Sequence, residues 1–116
     1  MELTSLTASQ IRDLVTHKQV SAEELVRAHL DRIEQKDKEV RAYLTLCPDR
    51  ALAQAKKTDR LIAAGEPLPP LAGVPAAVKD EIVTRGVRST CSSRMLENYI
   101  PPYDATAVER LEAAGA

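Results

Sequence analysis

The stretch GEPLPPLAG, residues 65 to 73, constrains everything on either side of it. Pro67, Pro69 and Pro70 each lock φ and supply no N–H, so neither a helix interior nor a central strand can run through them. The chain therefore divides into an N-terminal helical segment over residues 1–65 and a second, β-patterned unit over residues 66–116. Charge follows the same division. Residues 1–65 hold 21 of the 33 charged side chains, as solvated helix faces require, which leaves the second unit more apolar.

Before the break the pattern is helical. Thr7 with Gln10 and Ser21 with Glu24 form two capping boxes, in which each side chain satisfies a backbone N–H that the first turn leaves free. Ile11, Leu14 and Val15 follow the first box; Leu25, Val26, His29, Leu30 and Ile33 form one face after the second. Within that apolar stripe His29 reads as a core-edge histidine. Tyr43 to Leu46 is short, β-rich and bounded by Pro48, and predicts a strand or an extended link. Pro48 is tolerated at the first helical position and opens a third helix, with Leu52, Ala55, Leu61 and Ile62 as its stripe and Gly65 as its stop.

After the break, Val74 to Val78 and then Ile82 and Val83 predict a buried strand, followed by a turn at Arg85-Gly86. A short helical piece is expected around Arg94 to Asn98, ended by Pro101 and Pro102. Asp104 is placed to cap a last helix that carries Val108 and Leu111 and stops at Gly115. A strand followed by a capped helix is the first half of a β-α-β crossover, and no strand follows it. The expected fold class is α/β: N-terminal helices, then the first part of a mixed sheet with its crossover helix. A lone parallel-type strand needs neighbours on both sides, so the chain reads as cut off.

Leu, Ile and Val make up 27 of 116 residues, which exceeds the ~20% level below which chains tend to stay disordered. With neither Phe nor Trp present, the core must be aliphatic and alanine-rich. A net charge of −1 with mixed signs gives no basic stripe for nucleic acid. Cys47 and Cys91 stand apart from each other and from His17 and His29; they are expected to be reduced, buried thiols, with no metal-ligand set. MELTSLTASQ lacks the features of a signal peptide, and the longest uncharged run is too short and too rich in proline to span a membrane. A cytoplasmic, soluble protein with no membrane partner is expected.

The apolar approach LAGVPAAV ends on Lys79, with Asp80 and Glu81 immediately after it. Neighbouring residues of a strand project to opposite faces, so Asp80 is free to serve another contact. A lysine that acts as a base must be neutral; desolvation favours that form, whereas a nearby carboxylate opposes it. The catalytic reading therefore requires a Lys79 shielded from water, and an ammonium in solvent paired with Asp80 or Glu81 would count against it. By pattern alone, a lysine at a strand end is more often a solvated terminus. Ser92-Ser93 suits a turn or cap, and Arg85, Arg88 and Arg94 suit a solvated face.

Residues 71–116, LAGVPAAVKDEIVTRGVRSTCSSRMLENYIPPYDATAVERLEAAGA, resemble the opening block of the amidase signature family, and LTASQIRDLVTHKQVSAEELVRAHLDRIEQKDKEVRAYLTL resembles its N-terminal helices. Within the family the wording is most similar to the A subunits of the Glu-tRNA(Gln)/Asp-tRNA(Asn) amidotransferases. The resemblance makes residues 66–116 the start of an amidase-signature α/β core. It also implies a Ser–cis-Ser–Lys triad in which Lys79 is the catalytic lysine, acting through one serine on the nucleophilic serine. It further implies glutamine as ammonia donor, subunits B and C in a heterotrimer, and mischarged tRNA reached through the complex. ATP and Mg would be used in a partner subunit, with no cofactor in this chain. Two residues depart from the family pattern: Glu81 stands where asparagine is usual, and Ser92 where glycine is usual. Nothing matches the glycine- and serine-rich stretch that carries the two serines, so the chain alone is expected to be inactive. A generic small-carboxamide amidase and a non-catalytic helical interaction module remain the alternatives.

Overall fold

Both capping boxes form, and each starts the helix the sequence assigned to it. In the computed structural model, which describes residues 1–116, α1 spans Ala8–Thr16 behind the Thr7–Gln10 box and α2 spans Ala22–Val40 behind the Ser21–Glu24 box. A 3-10 turn, Leu3–Ser5, precedes them. Helix α3 runs Pro48–Ala63 with proline in its first turn, and Gly65 at φ 69° turns the chain out of it. Helix α4 spans Thr106–Ala113.

Helix α2 packs along α3 and against the Leu3–Ser5 turn. Two small aliphatic clusters fill the space. Ile11, Val15 and Leu25 form one, with Leu3, Leu6, Val20, Ile62 and Val74 around it. Ala22, Val26 and Ala55 form the other, flanked by Leu30, Ala51 and Leu52. The small side chains at 22 and 55 suit close helix approach. Asp59 of α3 adds a polar tie: its carboxylate accepts the N–H groups of Ala22 at 2.8 Å and Glu23 at 3.1 Å, two of the free donors at the start of α2. His29 is half-buried, with Nδ1 2.7 Å from the carbonyl oxygen of Leu25.

The second unit departs from expectation in its sheet. No strand forms; the only β pairing is an antiparallel bridge between Thr84 and Val87 across the Arg85-Gly86 turn. Residues 74–79 are irregular, and Tyr43 to Leu46 form a loop with Tyr43, Leu44 and Leu46 exposed. The physical reason is pairing. A strand exists through hydrogen bonds to neighbours, and neither segment has one beside it. Isolated backbone bonds hold the unit instead: Ala105 N–H to the Val83 carbonyl at 2.8 Å, Gly86 N–H to Pro101 at 3.1 Å and Ser89 N–H to Tyr99 at 3.0 Å.

Other local readings are also corrected. The helical piece near Arg94 is a 3-10 turn, Arg94–Leu96, and Ser93 caps it by accepting the Met95 N–H. Asp104 does not cap α4; Ala105 occupies that position, because the Asp104 carboxylate accepts the Arg85 N–H at 2.7 Å. Both cysteines are free, as expected, but Cys91 is exposed and Cys47 only half-buried. Cys91 lies in a tight turn, which leaves its side chain outside the core. No helix is long and apolar enough to cross a membrane.

Arg50 joins the two units. Its Nε donates to Glu112 of α4 at 3.0 Å, its Nη1 donates to the Arg85 carbonyl at 2.9 Å, and its Nη2 lies 3.7 Å from Asp104. On the far side, the Leu71 N–H donates to the Ala114 carbonyl at 2.7 Å, which sets the end of α4 against the proline-rich loop.

Candidate functional site around Lys79

Lys79 lies where the irregular approach from Val74 ends in a tight turn, closed by the Ile82 N–H donating to the Lys79 carbonyl at 2.9 Å. Its side chain is 73% exposed, and its Nζ is 3.1 Å from Glu81 Oε1. The shielding expected of this amine is therefore absent in this chain, and the partner is one that counted against the catalytic reading. The cause is local. Without strand neighbours nothing covers residues 76–79, and the turn brings residues 79 and 81 together. Both side chains are solvated, and such a pair contributes little to stability.

Asp80 serves a different contact from Lys79, although no strand forms to set their directions. Its Oδ1 accepts the Thr90 N–H at 2.9 Å, while Oδ2 accepts the Thr90 hydroxyl and the Ser92 N–H, the latter at 3.3 Å. The Thr90 hydroxyl, and then the Thr90 N–H, hold the Asp80 carboxyl below its ordinary value, and the Ser92 N–H and the Arg88 charge act in the same direction. Thr90 and Ser89 are buried at 4% and 3% exposure, so the carboxylate is tied to one of the few buried points of this unit. Sequence reasoning missed Thr90; the only available signal was a threonine within reach of a turn aspartate. Of the three arginines, Arg85 and Arg94 are exposed, and exposed Arg88 donates Nε to the Glu97 carbonyl.

Lys79 lines a broad concavity of about 1370 Å³ together with Val40, Tyr43, Leu44, Leu46 and Val78. Small-molecule sites are usually about 300–1,000 Å³ and enclosed, so this surface is better described as an open face than as a pocket. No three His, Cys, Asp or Glu side chains converge to hold a metal ion.

Comparison with known proteins places this chain in a family. The A subunit of glutamyl-tRNA(Gln) amidotransferase from Moorella thermoacetica is 54% identical over 116 residues, covering 100% of this chain and 24% of the relative. The protein of the same name from Geobacter sp. strain M21 is 52% identical over the same span. The chain thus spans about a quarter of the length of the curated relatives it matches. Among solved structures, one from a vestigial protein complex that reveals the origins of an s-triazine catabolic enzyme superposes with a TM-score of 0.92 at 33% identity, over 96% of this chain and 24% of its own. A bacterial aryl acylamidase of the amidase signature enzymes superposes with a TM-score of 0.87 at 32% identity, over 94% of this chain and 23% of its own. The amidase family model itself matches residues 24–116, which include most of α2, all of α3, the Lys79 turn and α4. The chain belongs to the amidase family.

Proposed function

We propose that this chain is the N-terminal part of the glutamine-hydrolysing A subunit of a Glu-tRNA(Gln)/Asp-tRNA(Asn) amidotransferase, with Lys79 as its catalytic lysine. The observation that carries the reading is the match at 54% identity along the whole chain to a protein of that name. In the complete protein, Lys79 would take the proton from the nucleophilic serine through the middle serine. The serine would then attack the glutamine carboxamide, leaving an acyl-enzyme and ammonia. The ammonia would pass to a partner subunit for amidation of the mischarged tRNA, with subunits B and C completing the assembly. ATP and Mg would belong to that partner.

Lys79 as it stands, in solvent and beside Glu81, cannot play this part, so the proposal commits to a cover over it. The surface supports such a cover. The chain exposes 7846 Å², against about 6,200 Å² for a monomeric protein of its mass. That surplus of about 1,600 Å² is roughly twice what one partner contributes to a standard interface. Thr45 Oγ1 is buried without a hydrogen-bond partner in the exposed apolar loop that lines the same face as Lys79. The uncovered length of the relatives is the natural occupant of that face.

The test is ammonia release from glutamine by the product of the extended reading frame. Lys79→Ala should lower the rate by roughly 1,000-fold or more. Lys79→Arg should not restore it, because a guanidinium does not deprotonate at working pH. Undiminished release from Lys79→Ala would remove Lys79 from the reaction. Absence of release from the unaltered product, with all subunits supplied, would favour the interaction-module reading.

A further inference from the structure

Lys79 is almost unrestrained by its own contacts, yet the residue next to it is among the most heavily bonded in the chain. The Lys79 amine has Glu81 as its one polar partner, whereas the Asp80 carboxylate receives three donors from residues 90–92. We propose that Asp80, Thr90 and the Ser92 N–H form a clamp that positions Lys79, and that Asp80 and Thr90 are positioning residues for the reaction. This rests on the reading of Lys79 as the catalytic lysine.

The clamp acts at the only place available. A lysine side chain has four rotatable bonds, so the position of its amine is defined only if its Cα is fixed and its stem is later packed. The Lys79–Ile82 turn fixes the local curvature, and the Asp80 carboxylate fixes that turn to the 89–92 segment. The anchor is firm: Ser89 and Thr90 are buried, and the Ser89 N–H donates to the Tyr99 carbonyl at 3.0 Å. The Thr90 hydroxyl also accepts the Ser92 N–H at 3.2 Å, which closes the loop on itself.

Backbone strain supports the same reading. Cys91 at φ 50° and Ser92 at φ 56° are consecutive left-handed residues, neither of them glycine. Such conformations are strained for residues that carry a Cβ and persist where the surroundings over-determine them. Here they bring two nearby backbone N–H groups, those of Thr90 and Ser92, onto one carboxylate, an arrangement like that of an anion-binding nest. A simple tie between two loops could be made with one neutral hydrogen bond; this one uses a charge and three donors directly beside the lysine.

Kinetics of glutamine hydrolysis by the full-length protein within its assembly provide the test. Thr90→Val removes one donor and keeps the shape, and should lower kcat roughly 10- to 100-fold with KM nearly unchanged. Thr90→Ser, which keeps the hydroxyl, should recover to within about threefold. If Thr90→Val fails to fold, Asp80→Asn, which keeps the shape and one acceptor oxygen, should give the same loss in kcat alone. A wild-type kcat in Thr90→Val or Asp80→Asn, alongside an inactive Lys79→Ala, would overturn the clamp and leave the role of Lys79 intact. A loss shared by KM, or one that Thr90→Ser fails to rescue, would also overturn it. Full activity in Lys79→Ala would overturn the underlying reading instead.

Discussion

At the scale of single residues, Ser92 is the clearest case of sequence and backbone pulling apart. The family resemblance implies glycine there, and the φ of 56° fits that, since only glycine enters that region without a Cβ penalty. Ser92 contributes its N–H to Asp80, and a glycine would contribute the same group. Ser92→Gly should therefore raise stability by about 0.5–1 kcal/mol, the relief of strain being partly offset by the looser unfolded chain. A urea midpoint that falls would show that the serine side chain has a role of its own. The contacts of Lys79 and Asp80 diverge, but across a tight turn and not by the strand alternation that the sequence suggested. The exposure of Lys79 was not legible, because it depends on what lies over the residue and not on its neighbours in the chain.

Among the elements, the helix starts were the most legible, because a capping box is completed within four residues. The Asp59 tie was not, since it joins positions separated by 37 residues. Asp59→Ala should cost about 1–2 kcal/mol, as two donors at the start of α2 lose a charged acceptor; a change under about 0.3 kcal/mol in urea unfolding would contradict this. The two helix-terminal glycines make a comparison. A Cβ on Gly65 meets nothing within 4 Å, whereas one on Gly115 would lie 2.6 Å from Pro69 Cγ and 3.1 Å from the Ala72 backbone. Gly65→Ala should cost about 1 kcal/mol for its left-handed φ alone. Gly115→Ala should cost about 2 kcal/mol or more, because the α4 end must leave the proline loop. Equal midpoints for the two variants would argue against tight packing at Gly115.

The whole molecule is under-filled. Only 13 of 116 residues are buried, and the radius of gyration of 14.9 Å exceeds the roughly 13.4 Å usual for this length. Val40, Leu44, Ile100 and Met95 are each more than half exposed, and unpartnered apolar surface of this kind drives association. The isolated chain should melt broadly, with a midpoint that depends on concentration and with strong binding of a hydrophobic dye. A sharp, cooperative, concentration-independent transition of a monomer would contradict that expectation.

The sequence alone determined the four α-helices, the two capping boxes, the break at the prolines and the amidase resemblance, because each is carried by residues close together or by a long ordered motif. Only the tertiary structure decided the absence of a sheet, the solvent around Lys79, the grip of Thr90 on Asp80 and the Arg50 link between the units. These depend on what stands beside a segment in space. A β-patterned run becomes a strand only when another backbone is there to accept its hydrogen bonds, and pattern alone cannot supply one.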